Sequence, residues 1–241
     1  MKRRLAQEAA EVLSAARAAL GELVEEGVDR VPAAAKVAKS AVESRTLEEV
    51  RAALGECTRC GLSERRTQIV FGDGNPQADL LFVGEGPGEQ EDLRGLPFVG
   101  RAGELLTQMI ERGLGIARSE VYICNIIKCR PPGNRTPLVN EVTACRPFLD
   151  GQIDAVRPRV IVTLGKPASS LLLGRDIAIT KVRGTWHEYR GIPVMPTFHP
   201  AFVLRQYTEQ NRRLVWEDLK AALERSRGRC LMFNFSARPK S

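Results

Sequence analysis

The sequence contains no run of 18 or more apolar residues, so nothing in it is long enough to cross a bilayer as a helix. It has no internal repeat, which removes solenoids and propellers from consideration. No apolar stretch comes after the basic start Met1-Lys2-Arg3-Arg4; the chain turns acidic and alternating instead, and it shows no cleavage site for a secretory leader. These absences predict a cytoplasmic protein without a membrane partner. Lysine is scarce, at eight of the 36 basic residues, so arginine carries most of the net charge of +7. That surplus suits a polyanion such as nucleic acid, although arginine-rich genome composition produces the same number. Histidine is scarcer still: there are two, His187 and His199.

What is present is an ordinary globular composition, 43% hydrophobic and 27% charged, over 241 residues. That length supports one substantial core with an appendage. Six cysteines in a reducing compartment argue for metal ligation or free thiols over disulfides. Four of them, the close pair Cys57 and Cys60 and the distant singles Cys129 and Cys145, can converge on one ion or cluster. Spacing alone leaves zinc and iron–sulfur equally open. Cys124 falls inside an apolar strand pattern and reads as a core thiol. Cys230 reads as an exposed free thiol in a basic tail.

Hydrophobic periodicity divides the chain. Residues 3–27 carry apolar positions at spacings of three and four, from Leu5 to Val24, as an amphipathic helix does. This Ala-rich extension, residues 1–45, carries no chemistry, and packing or contact with a protein partner is its expected role. At Thr46-Leu-Glu-Glu49 a capping box opens a short helix ending near Gly55. Branched-aliphatic runs at 79–83, 121–127, 159–164 and 192–198 read as buried parallel strands. Helical patterns at 103–112, 141–156 and 167–173 separate them, and a last helix covers 210–225. The expected fold is therefore a three-layer α/β/α sandwich around a central, mainly parallel four-stranded sheet. It occupies residues 46–225, with a basic tail at 226–241.

Ligands of such sheets collect beyond the carboxyl ends of the strands. Here the first strand runs into the turn GEGPG at 84–88, the second contains Asn125, and the fourth delivers His199-Pro200. GEGPG is neither GxGxxG nor a Walker loop, and Glu85 would repel phosphate. It suits a neutral ligand that backbone N–H groups and one carboxylate can touch. His187, in Trp186-His187-Glu188-Tyr189, reads as a structural residue of a hairpin or edge strand.

Three longer stretches carry a family resemblance. GEGPGEQEDLRGLPFVGRAGELL, from Gly84 to Leu106, resembles the first motif of the family 4 uracil-DNA glycosylases. NIIKCRPPGNRTP, from Asn125, resembles their second signature, and HPAFVLR, from His199, their last. The resemblance covers about 46–225. It implies a uracil-DNA glycosylase-like fold and an enzyme that hydrolyses the N-glycosidic bond of deaminated cytosine in DNA, starting base excision repair. It also implies a [4Fe–4S] cluster on Cys57, Cys60, Cys129 and Cys145, with structural zinc as the alternative. The partner is uracil-containing DNA, and a monomer is expected.

Residue by residue, the resemblance puts Glu85, Gly86 and Pro87 at the uracil pocket, with Phe98 stacked on the flipped ring. Asn125 faces the pairing edge, where an amide donates to O4 and accepts from N3–H; cytosine presents the reverse pattern. His199 is the donor to O2 as charge develops there, and Glu85 is the other catalytic candidate, placed to orient water, to stabilise the sugar cation or to contact the base. Arg205 reaches a phosphate while Leu204 or Val203 fills the vacated stack, and Lys128, Arg130 and Arg135 line the same groove. Two other readings stand beside this one. Relatives that trap uracil-DNA covalently carry a basic, histidine-bearing insert, but residues 130–135 are short and lack histidine. A non-catalytic iron–sulfur DNA-binding or polymerase-associated protein would have no need to keep Glu85, Asn125 and His199 together.

Overall fold

The computed structural model describes residues 45–228; the helix expected at 3–27, the remainder of the extension and tail, and Cys230 lie outside them. The first described element, α1 (Leu47–Leu54), starts as the sequence predicts. The Thr46 hydroxyl accepts from the Glu49 N–H (3.2 Å) and the Glu49 carboxylate accepts from the Thr46 N–H (2.7 Å), satisfying two otherwise orphaned donors. Its apolar face, Val50 and Leu54, packs with Phe71 and Phe148.

The six strands are β1 (Asp73–Gly74), β2 (Leu80–Gly84), β3 (Tyr122–Asn125), β4 (Val160–Leu164), β5 (His187–Tyr189) and β6 (Ile192–Thr197). They form one sheet in the order β1-β3-β2-β4-β6-β5. The central four are parallel, and these are the four that the sequence predicts. Of the two antiparallel edges, β5, three residues long, is the hairpin or edge strand expected around His187, and β1, two residues long, is an addition, so the sheet has six strands and not four. Every residue of β2 and β4 is buried. That is why both read as unbroken apolar runs without alternation.

Eight helices complete the described residues when short 3-10 turns are set aside: α1, α2 (Glu89–Arg94), α3 (Arg101–Gln108), α4 (Val139–Val156), α5 (Lys166–Leu173), α6 (Ile179–Val182), α7 (Pro200–Arg205) and α8 (Glu209–Ser226). The helix expected at 103–112 is split, because α3 passes into a π-turn, Met109–Leu114, before Gly115 ends it with φ +68°. Alternate strand residues face opposite ways, giving the three layers. Leu81, Val83, Tyr122, Cys124, Ile161 and Val194 pack with α4 and α5 through Leu149, Ile153 and Leu172. Leu80, Phe82, Ile123, Val162 and Met195 pack on the other side with Leu106, Val203 and Leu219 of α3, α7 and α8. Each such fully buried aliphatic or aromatic side chain contributes about 1.5–3 kcal/mol of transfer free energy. No helix among the described residues is long and apolar enough to cross a membrane.

The parallel register sets where the strands end relative to one another. Gly84, the last residue of β2, lies beside Asn125, the last of β3, and β6 ends two residues before His199. Three chain segments therefore deliver their functional residues to one edge of the sheet.

Candidate active site

Beyond that edge lies a cleft of about 710 Å³, lined among others by Glu85, Phe98, Asn125, Arg135, His199 and Arg205. Its size falls within the usual range for small-molecule sites. Gly86 and Pro87 also line it, so the expected pocket residues meet in one hollow.

Phe98 is held in place at a cost. Its φ is +53°, unusual for a bulky side chain and worth roughly 1–3 kcal/mol of strain. Two glycines make the conformation possible. A Cβ on Gly103 would lie 1.9 Å from the Phe98 carbonyl carbon. A Cβ on Gly84 would come within 2.5 Å of the ring and 2.4 Å of Asn125 Oδ1. Glu91 fixes the loop around them: its Oε1 accepts from the N–H groups of Val99 (2.9 Å) and Gly100 (2.8 Å), and Oε2 accepts from Gly88 N–H (3.1 Å). Asp92, buried beside it, accepts from Thr67 N–H and so ties α2 to the preceding segment. The motif reading does not single out Glu91, Gly103 or Asp92. The one signal for Glu91 is its place three residues after Gly88, where a capping carboxylate belongs.

Asn125 is 1% exposed, and neither Nδ2 nor Oδ1 has a hydrogen-bond partner. Buried polar groups are almost always paired, and leaving one unpaired costs about 1–3 kcal/mol. Here both a donor and an acceptor go unmet on one amide at the wall of a cleft.

His199 caps α7, and its Nδ1 accepts from Ala201 N–H at 3.1 Å. An accepting Nδ1 carries no proton, so the neutral ring bears its proton on Nε2. Burial first, then the positive charge of Arg205, lowers its pKa to about 4, against a partial opposing pull from Glu91. The imidazole is thus a neutral N–H donor at ordinary pH, with its ring 5.7 Å from that of Phe98. Glu85 has its pKa raised by burial, and a hydrogen bond from Thr136 works the other way.

The expected DNA-facing residues divide. Arg205 is exposed and lines the cleft. Leu204, partly exposed, precedes it on α7. Val203 is 0% exposed within the core beneath α7 and cannot enter a base stack, which corrects that expectation. Lys128 is a second correction: it is 1% exposed and donates to Asn125 O at 2.7 Å, so it faces inward and does not line the groove. Arg130 is bonded to Asn134 (2.8 Å) and Arg135 to Glu141. His187 lies on the edge strand β5 with its Nε2 2.9 Å from Thr185 Oγ1, a local structural contact.

Cys57, Cys60, Cys129 and Cys145 share one corner beside α4, and all four are free of disulfides. Burial raises the pKa of Cys129, with Cys60 and Cys57 close enough to add to the effect. Burial also pushes Cys145 up to about 11, with Cys129 and Cys60 contributing. Arg66 donates to Cys57 O and to Cys129 Sγ (3.5 Å). Cys124 is apart from them, wholly buried in the sheet core as expected. Among the described residues no group of three or more His, Cys, Asp or Glu is placed to hold a single metal ion.

The family model described as the uracil DNA glycosylase superfamily matches residues 71–220. The type-4 uracil-DNA glycosylase of Thermotoga maritima is 49% identical over 178 residues, covering 73% of this chain and 92% of that protein. That of Sulfurisphaera tokodaii is 46% identical, covering 74% and 84%, and that of Saccharolobus solfataricus 44%, covering 73% and 83%. A cleft at the strand ends, motifs in their order and identity over most of both chains agree: the chain belongs to the uracil DNA glycosylase superfamily, among the type-4 uracil-DNA glycosylases.

Proposed function

We propose that this protein removes uracil from DNA by hydrolysing the bond between uracil N1 and the sugar. The target nucleotide leaves the stack and its base enters the cleft, which costs a few kcal/mol of unstacking. Phe98 stacks on the ring. The Asn125 amide donates to O4 and accepts from N3–H, so both unmet groups gain partners from uracil and neither does from cytosine. As the C1′–N1 bond breaks, the electron pair moves into the ring and negative charge grows on O2. The Nε2–H of neutral His199 donates to that oxygen, an interaction that strengthens only as the transition state forms. Glu85, ionised, balances positive charge on the sugar and orients the water that completes hydrolysis. Arg205 and Leu204 engage the phosphate and the vacated stack.

The cysteine corner fits an iron–sulfur cluster better than zinc. Structural zinc commonly takes two close pairs of ligands, whereas here only Cys57 and Cys60 are paired. A four-iron cluster takes four thiolates, one for each iron, which is the donor set of this corner. Cys57, Cys60, Cys129 and Cys145 would hold it. Through these residues it would tie the segment after α1 to the loop after β3 and to α4. We place the working unit at residues 46–225, acting as a cytoplasmic monomer on DNA.

One observation carries this reading: the buried Asn125 amide with both ends unpartnered. The test is release of free base from oligonucleotides containing one uracil, cytosine or thymine. Free uracil from the first and none from the second is the expected result. Folded protein that binds the uracil oligonucleotide without releasing base would replace catalysis with binding.

A further inference from the structure

Lys128 is among the largest fully buried side chains of the protein, and lysine is almost never buried unless its ammonium group is engaged. Its Nζ donates to the backbone oxygen of Asn125 (2.7 Å) and to Gln152 Oε1 on α4. Gln152 in turn donates through Nε2 to Phe71 O (2.8 Å) and to the Tyr122 hydroxyl (3.1 Å). Lys128's own carbonyl accepts from Val70 N–H at 2.8 Å. The chain thus closes a loop three residues after Asn125 and pins that residue's peptide to α4 and to the 70–71 segment.

The arrangement matters because the Asn125 amide makes no hydrogen bond of its own. Two things then set its direction: the packing of Gly84 and Phe98 against it, and the orientation of its backbone. An amide free to rotate by a half-turn would present donor and acceptor reversed and accept cytosine. We propose that Lys128 is the positioning residue for Asn125, fixing the peptide from which the base-reading amide projects. The same side chain lies on the path from the base pocket to α4, the helix that carries Cys145. This inference rests on the reading of Asn125 as the uracil contact.

The test uses the full-length protein as purified and a double-mutant cycle of Lys128→Met with Asn125→Ala. Inhibition by free uracil and kcat and KM for uracil release are measured, with circular dichroism and visible absorbance as checks on fold and cysteine corner. Loss of a charge-assisted hydrogen bond predicts about a ten- to hundredfold weaker inhibition by free uracil for Lys128→Met. Added to Asn125→Ala, the same substitution should cost less than about twofold, because it acts through a side chain already gone. Additive losses in the double variant, or unchanged uracil inhibition in the single one, would overturn the inference. If Lys128→Met does not fold, Gln152→Met, which keeps the lysine but removes its anchor on α4 together with the bonds to Phe71 and Tyr122, takes its place in the same cycle. Failure of the underlying reading looks different: Asn125→Ala would then be as active and as uracil-sensitive as the unaltered protein.

Discussion

The base cleft and the cysteine corner share the five residues from Asn125 to Cys129, yet they are built on opposite terms. On the cleft side groups are left wanting: Asn125 has an unmet donor and acceptor, and Phe98 sits at positive φ. His199 holds a neutral ring where burial opposes its charge. On the corner side groups are tied. Arg66 spans Cys57 and Cys129, Lys128 joins Asn125 to α4, and Gln152 joins α4 to Phe71 and Tyr122. Strain and unmet polarity cost stability and are kept where they serve a ligand. Cross-links between distant segments add stability and have no need to touch one. Substitutions on the two sides should therefore separate activity from stability.

The largest separation is expected at His199. His199→Ala removes the donor to the leaving oxygen, and loss of one such donor typically costs about 10²–10³ in kcat. The melting temperature should fall by only a few degrees, because the ring's one hydrogen bond is a local cap of α7, worth about 1 kcal/mol. A kcat within threefold of the unaltered protein would remove His199 from the chemistry. The corner should give the opposite pattern. If the proposed cluster is bound, Cys145→Ala, or a chelator under reducing conditions, should bleach absorbance near 400 nm and lower the melting temperature. Each kcal/mol lost corresponds to about 2–4 °C for a chain this size. Activity should follow the folded fraction. Unchanged absorbance and melting in Cys145→Ala would detach that thiol from the centre.

How legible these two regions are in the sequence differs for physical reasons. The four central strands are readable because burial on both faces demands unbroken branched-aliphatic runs, as in Leu80-Leu81-Phe82-Val83. The edge strand β1 is not, because two exposed residues, Asp73 and Gly74, are held by pairing alone. Likewise α2, EQEDLR, has no apolar stripe; its start is capped by Glu91 and its buried residue is Asp92. In the cleft, Glu85, Asn125 and His199 are found through motifs, but Glu91 and Gly103 act on backbone, which no side-chain chemistry announces. Lys128 and Val203 are misplaced by sequence for complementary reasons. A lysine is expected outside, and one turn of a helix cannot by itself tell which residue faces the core.

A smaller effect sharpens the cleft's electrostatics. With its pKa lowered to about 4, His199 stays neutral as pH falls through 6.5, so kcat/KM should show no step there. On the proposed roles the acid limb should come from Glu85, whose carboxyl is raised by burial and so loses its charge above the usual range near 4.5. Glu85→Gln should lower activity and erase that limb; a limb that persists would assign it elsewhere. Stability has its own sign. The unfolded chain takes up a proton on His199 first as pH falls from 6.5 towards 4, so the folded state loses ground across that window. His199→Gln should flatten this part of the stability profile.

The smallest effect is expected at the rim, where the comparison between cleft and corner no longer applies. Arg205 is exposed and lines the cleft, and it forms no salt bridge with the described residues. A single surface guanidinium gripping a phosphate contributes mainly through counterion release. Arg205→Ala should therefore weaken DNA binding severalfold at low salt and reduce the slope of log affinity against log salt by about one. It should leave the melting temperature unchanged. Because its positive charge also helps hold His199 neutral, the variant should let the histidine pKa rise slightly from about 4. A lost salt slope with kcat near normal places Arg205 on the DNA backbone. A collapse of kcat with the slope intact would move it from the rim into the reacting centre beside His199.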